Sequence, residues 1–205
     1  MISAELSALV GDIDIYLFDQ LLRGRFDTRR RVLDAGCGAG RNLVYMLGRG
    51  FDAFAIDSDP AAVAAVKRLF ARLAPQLAGE HVREGHVDTL PWPDASMDAV
   101  ISSAVLHFAR DAEHFRAMVN EMWRVLVPGG LLFARLATSI GLEHQLEVPV
   151  GRVRLPDGSE RFVVDEATLL VTARALGGRL VDPLKTTNVQ QLRAMTTWVL
   201  VKESS

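Results

Sequence analysis

The sequence predicts an α/β protein in which a mostly parallel sheet is covered by helices on both faces. Three observations predict it. Strand-like and helix-like segments alternate along most of the chain, the pattern of βαβ units. A glycine-rich loop, VLDAGCGAGRN from Val32 to Asn42, lies between the first strand and the helix after it. Apolar residues make up 49% of the 205 positions, which is ample for one buried core and short for two.

The elements follow in order. An amphipathic helix is expected from about Ile13 to Leu22, then a short buried strand, RRVLDAG, the glycine loop, and a helix through NLVYMLGRG that stops at Gly48 or Gly50. FDAFAID reads as the second strand. SDPAAVAAVKRLFARLAPQL reads as a strong helix, capped by Ser58 or Asp59 with Pro60 in its first turn. VREGHV is a third strand, DTLPWPDAS an irregular stretch, and MDAVISSAV a fourth strand. DAEHFRAMVNEMWRVL is a long amphipathic helix ended by Pro128-Gly129-Gly130, and LLFARLAT is the fifth strand. A polar segment with a turn signal, LPDGSERFVV, leads to a helix from Asp165 to about Leu176. GRLVDPLKTT and RAMTTWVLVK then alternate as an antiparallel hairpin on the sheet edge. With no repeats or linkers, residues 1–205 are expected to form a single domain. Residues 1–28 are its helical cover and 141–164 a polar insert placed to face the substrate.

Composition excludes several functions. A formal net charge of −2 supplies no field for a nucleic-acid backbone, and Arg29-Arg30-Arg31 reads as a solvated turn at the start of a strand. One cysteine allows neither a disulfide framework nor a multi-cysteine metal site. His81, His86, His107, His114 and His144 lack metal-ligand spacing, so no metal is expected. The acidic N-terminus is unlike a signal peptide, and no run approaches the roughly 18 apolar residues of a membrane span. A cytoplasmic protein that engages neither nucleic acid nor membrane is expected, as a monomer or a homodimer.

The loop itself narrows the ligand. Gly36, Gly38 and Gly40 make G-x-G-x-G, with Arg41 in the place where a dinucleotide loop carries its last glycine. Asp34, two residues before Gly36, would repel a pyrophosphate and suits an ammonium or sulfonium group. Arg41 and the loop amides suit a carboxylate. Asp57 follows Gly36 by 21 residues, near the spacing at which a second-strand acid reaches ribose hydroxyls. A nucleoside joined to an amino acid through a cationic centre is S-adenosylmethionine. Cys37, between two glycines, is expected to offer the ligand only its backbone.

At this point the chain resembles the class I S-adenosylmethionine-dependent methyltransferases. VLDAGCGAGRN matches their cofactor loop, FAIDSDPAAV the ribose segment, EGHVDTLPWPDASMDAVIS the adenine segment and fourth strand, and MWRVLVPGGLLF the approach to the fifth. The GRN ending, the small size and the closing strand are similar to the tellurite-resistance-type branch of small-molecule enzymes. The resemblance implies a Rossmann-like three-layer sandwich whose seven-stranded sheet has an antiparallel last strand. It implies that Asp34, Gly36, Cys37, Gly38, Gly40, Arg41 and Asn42 surround the methionine end of the donor, and that Asp57 binds ribose beside Ser58. The family often places an acid for the adenine amino group where this chain has His86. Either His86 with Val87 fills that role, or Asp88 does after a small shift of the loop. Ser103 is expected to lend backbone near the donor.

Acceptor chemistry is less legible, because methyl transfer needs alignment more than functional groups. His107, just after the fourth strand, is the candidate base or orienting group, with a hydrogen bond to a neighbouring loop as the other reading. Tyr16 and Phe18 either cover the pocket or pack on the body. Arg135, inside an apolar strand, needs either an anionic substrate or a nearby acid. His144, Arg152 and Arg154 lie in the polar insert, where specificity can reside, and Trp92 and Trp123 read as packing. The absence of an Asn/Asp-Pro-Pro-Tyr motif argues against amino methylation of nucleic-acid bases. The expected function is therefore transfer of a methyl group from S-adenosylmethionine to a small molecule. The alternative is a non-catalytic sensor of the donor or of S-adenosylhomocysteine, and a nicotinamide oxidoreductase is disfavoured by Asp34 and Arg41.

Overall fold

In the computed structural model, which describes residues 2–77 and 79–203, period-two alternation sorts each central strand between two cores. Strands β1 (Arg31–Ala35), β2 (Asp52–Asp57), β3 (Val82–Glu84), β4 (Met97–Ser103) and β5 (Leu126–Ala137) run parallel in the order β3-β2-β1-β4-β5. Strand β10 (Arg193–Lys202) runs antiparallel beside β5, and β8 (Gly178–Leu180) and β9 (Lys185–Val189) pair with its other edge. Register makes the layers explicit. Leu33, Val100, Leu132 and Leu200 form one row, on a face packed by α5 (Ala112–Val125) and α6 (Glu166–Ala175). Ile101, Phe133 and Val199 form a row on the opposite face, beside Asp34. That face is packed by α2 (Ile15–Leu22), α3 (Leu43–Gly48) and α4 (Pro60–Leu73). A sheet buried on both sides needs such continuous apolar strands.

Aspartates start the helices. Asp14, Asp59, Asp111 and Asp165 each accept a backbone N–H in the first turn of α2, α4, α5 and α6. Of the two residues expected to cap α4, it is Asp59 that does so, through Ala61 N at 2.9 Å.

Four expectations are corrected. A further helix, α1 (Ile2–Val10), precedes α2, which itself begins only at Ile15. Helix α5 ends at Val125, ahead of Pro128-Gly129-Gly130, and β5 has already begun at Leu126. The Pro-Gly-Gly run bulges out between the pairs Met97–Leu126 and Ala99–Leu131, where a residue without an N–H is tolerated. The polar insert contains a hairpin, β6 (Gly151–Arg154) with β7 (Glu160–Val163), closed by a turn in which Gly158 has φ +83°. The penultimate strand is broken into β8 and β9: four residues, 181–184, face two of β10, with Pro183 in the gap. The main sheet thus has eight strands on seven positions.

Arg124 of α5 ties down the irregular 88–96 stretch. Its guanidinium donates to Leu90 O, Trp92 O, Asp94 and Glu121, while Glu121 accepts Leu90 N at 2.8 Å. The guanidinium holds the Glu121 carboxyl below its usual range. Arg124→Ala is therefore expected to lower the unfolding free energy by about 2–3 kcal/mol, since charge-assisted bonds to backbone are lost. Urea titration measures this, and hydrogen exchange should quicken first in 88–96; an unchanged midpoint would dismiss the clamp.

Candidate active site

The loop after β1 leaves the strand at Gly36, where the chain has no space for a side chain. Gly36 has φ +79°, and a Cβ there would stand 2.5 Å from Val105 Cγ2 in the turn after β4. Gly38, with φ +51°, faces open space, and its N–H donates to Asp57 Oδ2 at 2.7 Å. Gly36 N and Cys37 N both donate to Ile56 O, so the loop is stitched to the end of β2. Between these strand ends lies a cavity of about 730 Å³.

Ten of the thirteen expected donor-binding residues line it: Gly36, Cys37, Gly38, Arg41, Asn42, Asp57, Ser58, His86, Val87 and Ser103. Gly40 instead packs on Leu69 and Val66 of α4. Asp88 turns away to His114 Nε2 at 3.2 Å, with Arg110 at 3.9 Å; of the adenine-side candidates, His86 and Val87 face the cavity and Asp88 does not. Asp57 Oδ1 accepts Asp59 N at 3.0 Å, which leaves lone pairs on both oxygens for further donors. Cys37 is buried, and burial raises its thiol far above its ordinary range, so it is no nucleophile.

Asp34 lies off the cavity wall, 1% exposed, and neither of its oxygens has a hydrogen-bond partner. Burial raises its pKa to about 7; the Arg41 charge and the nearby Asn42 side chain oppose this and the Asp57 charge adds to it. His107 is also off the wall. Burial, then the charges of Arg161 and Arg135, lower its pKa to about 4, and its Nδ1 has no partner. The imidazole is therefore neutral at pH 7 and a weak base.

The residue that sequence reading missed is Asp14. Its Oδ2 accepts from Ser103 Oγ at 2.8 Å, Arg135 Nη1 at 3.2 Å and Arg41 Nη2 at 3.4 Å. This is the nearby acid that Arg135 needed. Tyr16 stacks under the Arg135 guanidinium at 5.0 Å, and its hydroxyl bonds Thr187 of β9; Phe18 is half-buried. No expectation fell on Asp14, which also caps α2. Ala104, Val105, Phe108, His114 and Met118 line the cavity without having been expected there. Ala104 holds φ +64° with its N–H on Arg135 O, a conformation costing a side-chain-bearing residue about 1–2 kcal/mol. His144 and Arg154 are exposed, and Arg152 pairs with Glu160 at 3.3 Å. Among the described residues, no cluster of three or more His, Cys, Asp or Glu side chains could hold a metal, and no helix is long and apolar enough to cross a membrane.

A strand–glycine loop–helix unit with acids at the ends of β1 and β2, under this strand order, defines a nucleoside-binding α/β fold. Residues 33–134 match the family model described as a methyltransferase domain. A Mycobacterium tuberculosis protein described as a probable S-adenosylmethionine-dependent methyltransferase is 32% identical over 70% of this chain and 47% of its own. A malonyl-[acyl-carrier protein] O-methyltransferase of Serratia marcescens is 33% identical over 52% of this chain and 38% of its own. A ribosomal RNA small subunit methyltransferase C of Chromohalobacter salexigens is 32% identical over 67% and 40%. This chain thus spans less than half the length of these relatives. A solved S-adenosylmethionine-dependent methyltransferase of Methanosarcina mazei has a TM-score of 0.71 at 18% identity, over 90% of this chain and 98% of that one. A Burkholderia thailandensis N1-methyltransferase with S-adenosylhomocysteine bound has a TM-score of 0.66 at 20% identity, over 90% and 76%. The chain belongs to the class I S-adenosylmethionine-dependent methyltransferases, and S-adenosylmethionine is the cofactor of that family.

The residues present fit that group. An open-faced glycine at the cavity wall, a strand-end carboxylate with free lone pairs and a buried acid without a partner match a ligand with a ribose and a cationic end. Asp34 also carries a cost for the ligand-free chain. It keeps its proton up to about pH 7 when folded but only to 3.8 ordinarily, so stability falls as pH rises through that window. Asp34→Asn is expected to raise the ligand-free melting temperature at pH 8 by about 2–6 °C, with the gain vanishing near pH 4. The same substitution should weaken donor binding about tenfold by removing a negative charge behind the cavity wall, with no direct hydrogen bond lost. Calorimetric scans at the two pH values decide it; equal melting temperatures for both proteins throughout would show that Asp34 is not strained.

Proposed function

We propose that the chain binds S-adenosylmethionine in the cavity above β1, β2 and β4 and moves its methyl group in line to a small-molecule acceptor. The observation that carries this reading is Asp57, braced by Gly38 N and Asp59 N with its remaining lone pairs on the cavity that the glycine loop walls. In this reading Asp57 holds ribose, His86 and Val87 border the adenine, and Arg41 with the loop amides holds the methionine carboxylate. Bound there, the donor supplies an electrophilic methyl on sulfur, and the protein's contribution is to align the acceptor and exclude water. Of the expected cover 1–28, whose first residue lies outside the described residues, the part from Asp14 to Tyr16 serves the acceptor side within a single domain, because Asp14 accepts from Ser103 and Arg135 and Tyr16 stacks on Arg135. The near-neutral net charge of −2 supports a small acceptor over a nucleic acid.

Calorimetry with S-adenosylhomocysteine tests the donor site. Asp57→Ala should weaken binding by about 1.5–3 kcal/mol, as expected for lost bonds to a charged group; an unaltered affinity would show that Asp57 holds no ribose. Labelled methyl from the donor should appear in the small-molecule fraction of a cell extract. Label confined to RNA or to an acyl carrier protein would reverse the acceptor assignment. Binding with no transfer to any fraction would favour the sensor reading. Because His107 is neutral above about pH 5, the rate between pH 6 and 8 should show no limb that His107→Gln removes.

A further inference from the structure

The ends of β4 and β5 hold a carboxylate-binding pair, Ser103 Oγ and the Arg135 guanidinium, that the proposed donor site does not use. Ser103 and Arg135 are register partners on these strands, and with Arg41 they place three donors on one oxygen of Asp14, a residue 3% exposed. Arg135 is held by the Tyr16 ring, and its buried Nε has no partner. Arg161 of β7 has no carboxylate partner among the described residues; it lies over the ring of Phe108, which lines the cavity. The Arg41 and Arg135 guanidiniums therefore share the single carboxylate of Asp14, and Arg161 adds a third positive charge beside Phe108. The other two acids of the site sit on the donor side, Asp57 on the Gly38 and Asp59 amides and Asp34 at the end of β1. A cationic acceptor would meet an Asp14 whose charge is already spent on two guanidiniums.

We infer that the methyl acceptor carries a carboxylate, which Arg135 and Ser103 take up in the place that the Asp14 carboxylate holds in this structure. The inference rests on the proposed methyl transfer to a small molecule and names the class of that molecule. Asp14 is then an internal stand-in: it keeps Arg135 oriented and its site desolvated until the acceptor displaces it. Arg135 is the specificity-determining residue, because a guanidinium distinguishes a planar carboxylate from an alcohol or an amine. Phe108, more than half exposed at the rim, offers a ring face to the rest of the acceptor.

The test uses the full chain saturated with S-adenosylhomocysteine and titrated with benzoate, benzyl alcohol, benzylamine and inorganic phosphate, followed by NMR. Benzoate is expected to bind in preference to the alcohol and the amine. Asp14→Asn should tighten benzoate about tenfold by removing its competitor, and Arg135→Gln should abolish the preference while Arg135→Lys keeps part of it. Benzoate binding unchanged by Asp14→Asn, a preference for benzylamine, or displacement of benzoate by equimolar phosphate would each overturn the inference. If Asp14→Asn does not fold, the wild-type preference and its partial survival in Arg135→Lys decide the matter. Failure of S-adenosylhomocysteine itself to bind would count against the donor site. Its binding without any benzoate preference would count against the carboxylate acceptor alone.

Discussion

Everything at this site depends on one steric constraint: the loop after β1 and the turn after β4 meet at Gly36 with no space for a Cβ against Val105. That contact sets how closely the two strand ends approach and hence where the cavity opens. The next links follow from it. Gly36 N and Cys37 N close on Ile56 O, Gly38 N reaches Asp57, and Ala104 takes a left-handed turn that sends the chain toward Leu106–Phe108. Local strain at Ala104 is offset by the surrounding sheet, as it must be where a strained residue persists.

Charge is organised around that opening in two halves. Asp34 occupies a position in an otherwise apolar row with Ile101, Phe133 and Val199, so burial dominates its titration and leaves it unpartnered. On the acceptor side the imbalance is reversed, with guanidiniums in excess and one buried carboxylate between them. In the proposed reading, the Asp57 side takes the donor and the side with the guanidiniums takes an anionic acceptor. The same arrangement explains why His107 stays neutral, since it is buried and lies in the field of two arginines.

Much of this was legible in the sequence where the signal is local. The continuous apolar strands, the glycine spacing, Asp57 at its interval and the cap of α4, expected at Ser58 or Asp59, each reflect chemistry within a few residues. Helix α5 was overextended because periodicity continues past Val125, while Leu126 is already paired with Met97 of a distant strand. The β6–β7 hairpin was read as a polar insert because its buried residues, Leu155, Phe162 and Val163, are few among charges. Asp14 was missed because the side chains it binds, Arg41, Ser103 and Arg135, are distant along the chain and nothing local marks it.

By itself the sequence determined the alternation that makes a doubly covered parallel sheet, the glycine loop and the acids at the ends of β1 and β2. These rest on backbone freedom, side-chain period and short-range capping, all properties of adjacent residues. Only the tertiary structure decided which candidates share a cavity. It turned Asp88 to His114, sank Asp34 and His107 below the wall, and carried Asp14 to Arg41, Ser103 and Arg135, respectively 27, 89 and 121 residues away. Burial and charge at those points come from the packing of distant strands, a quantity that no stretch of sequence contains.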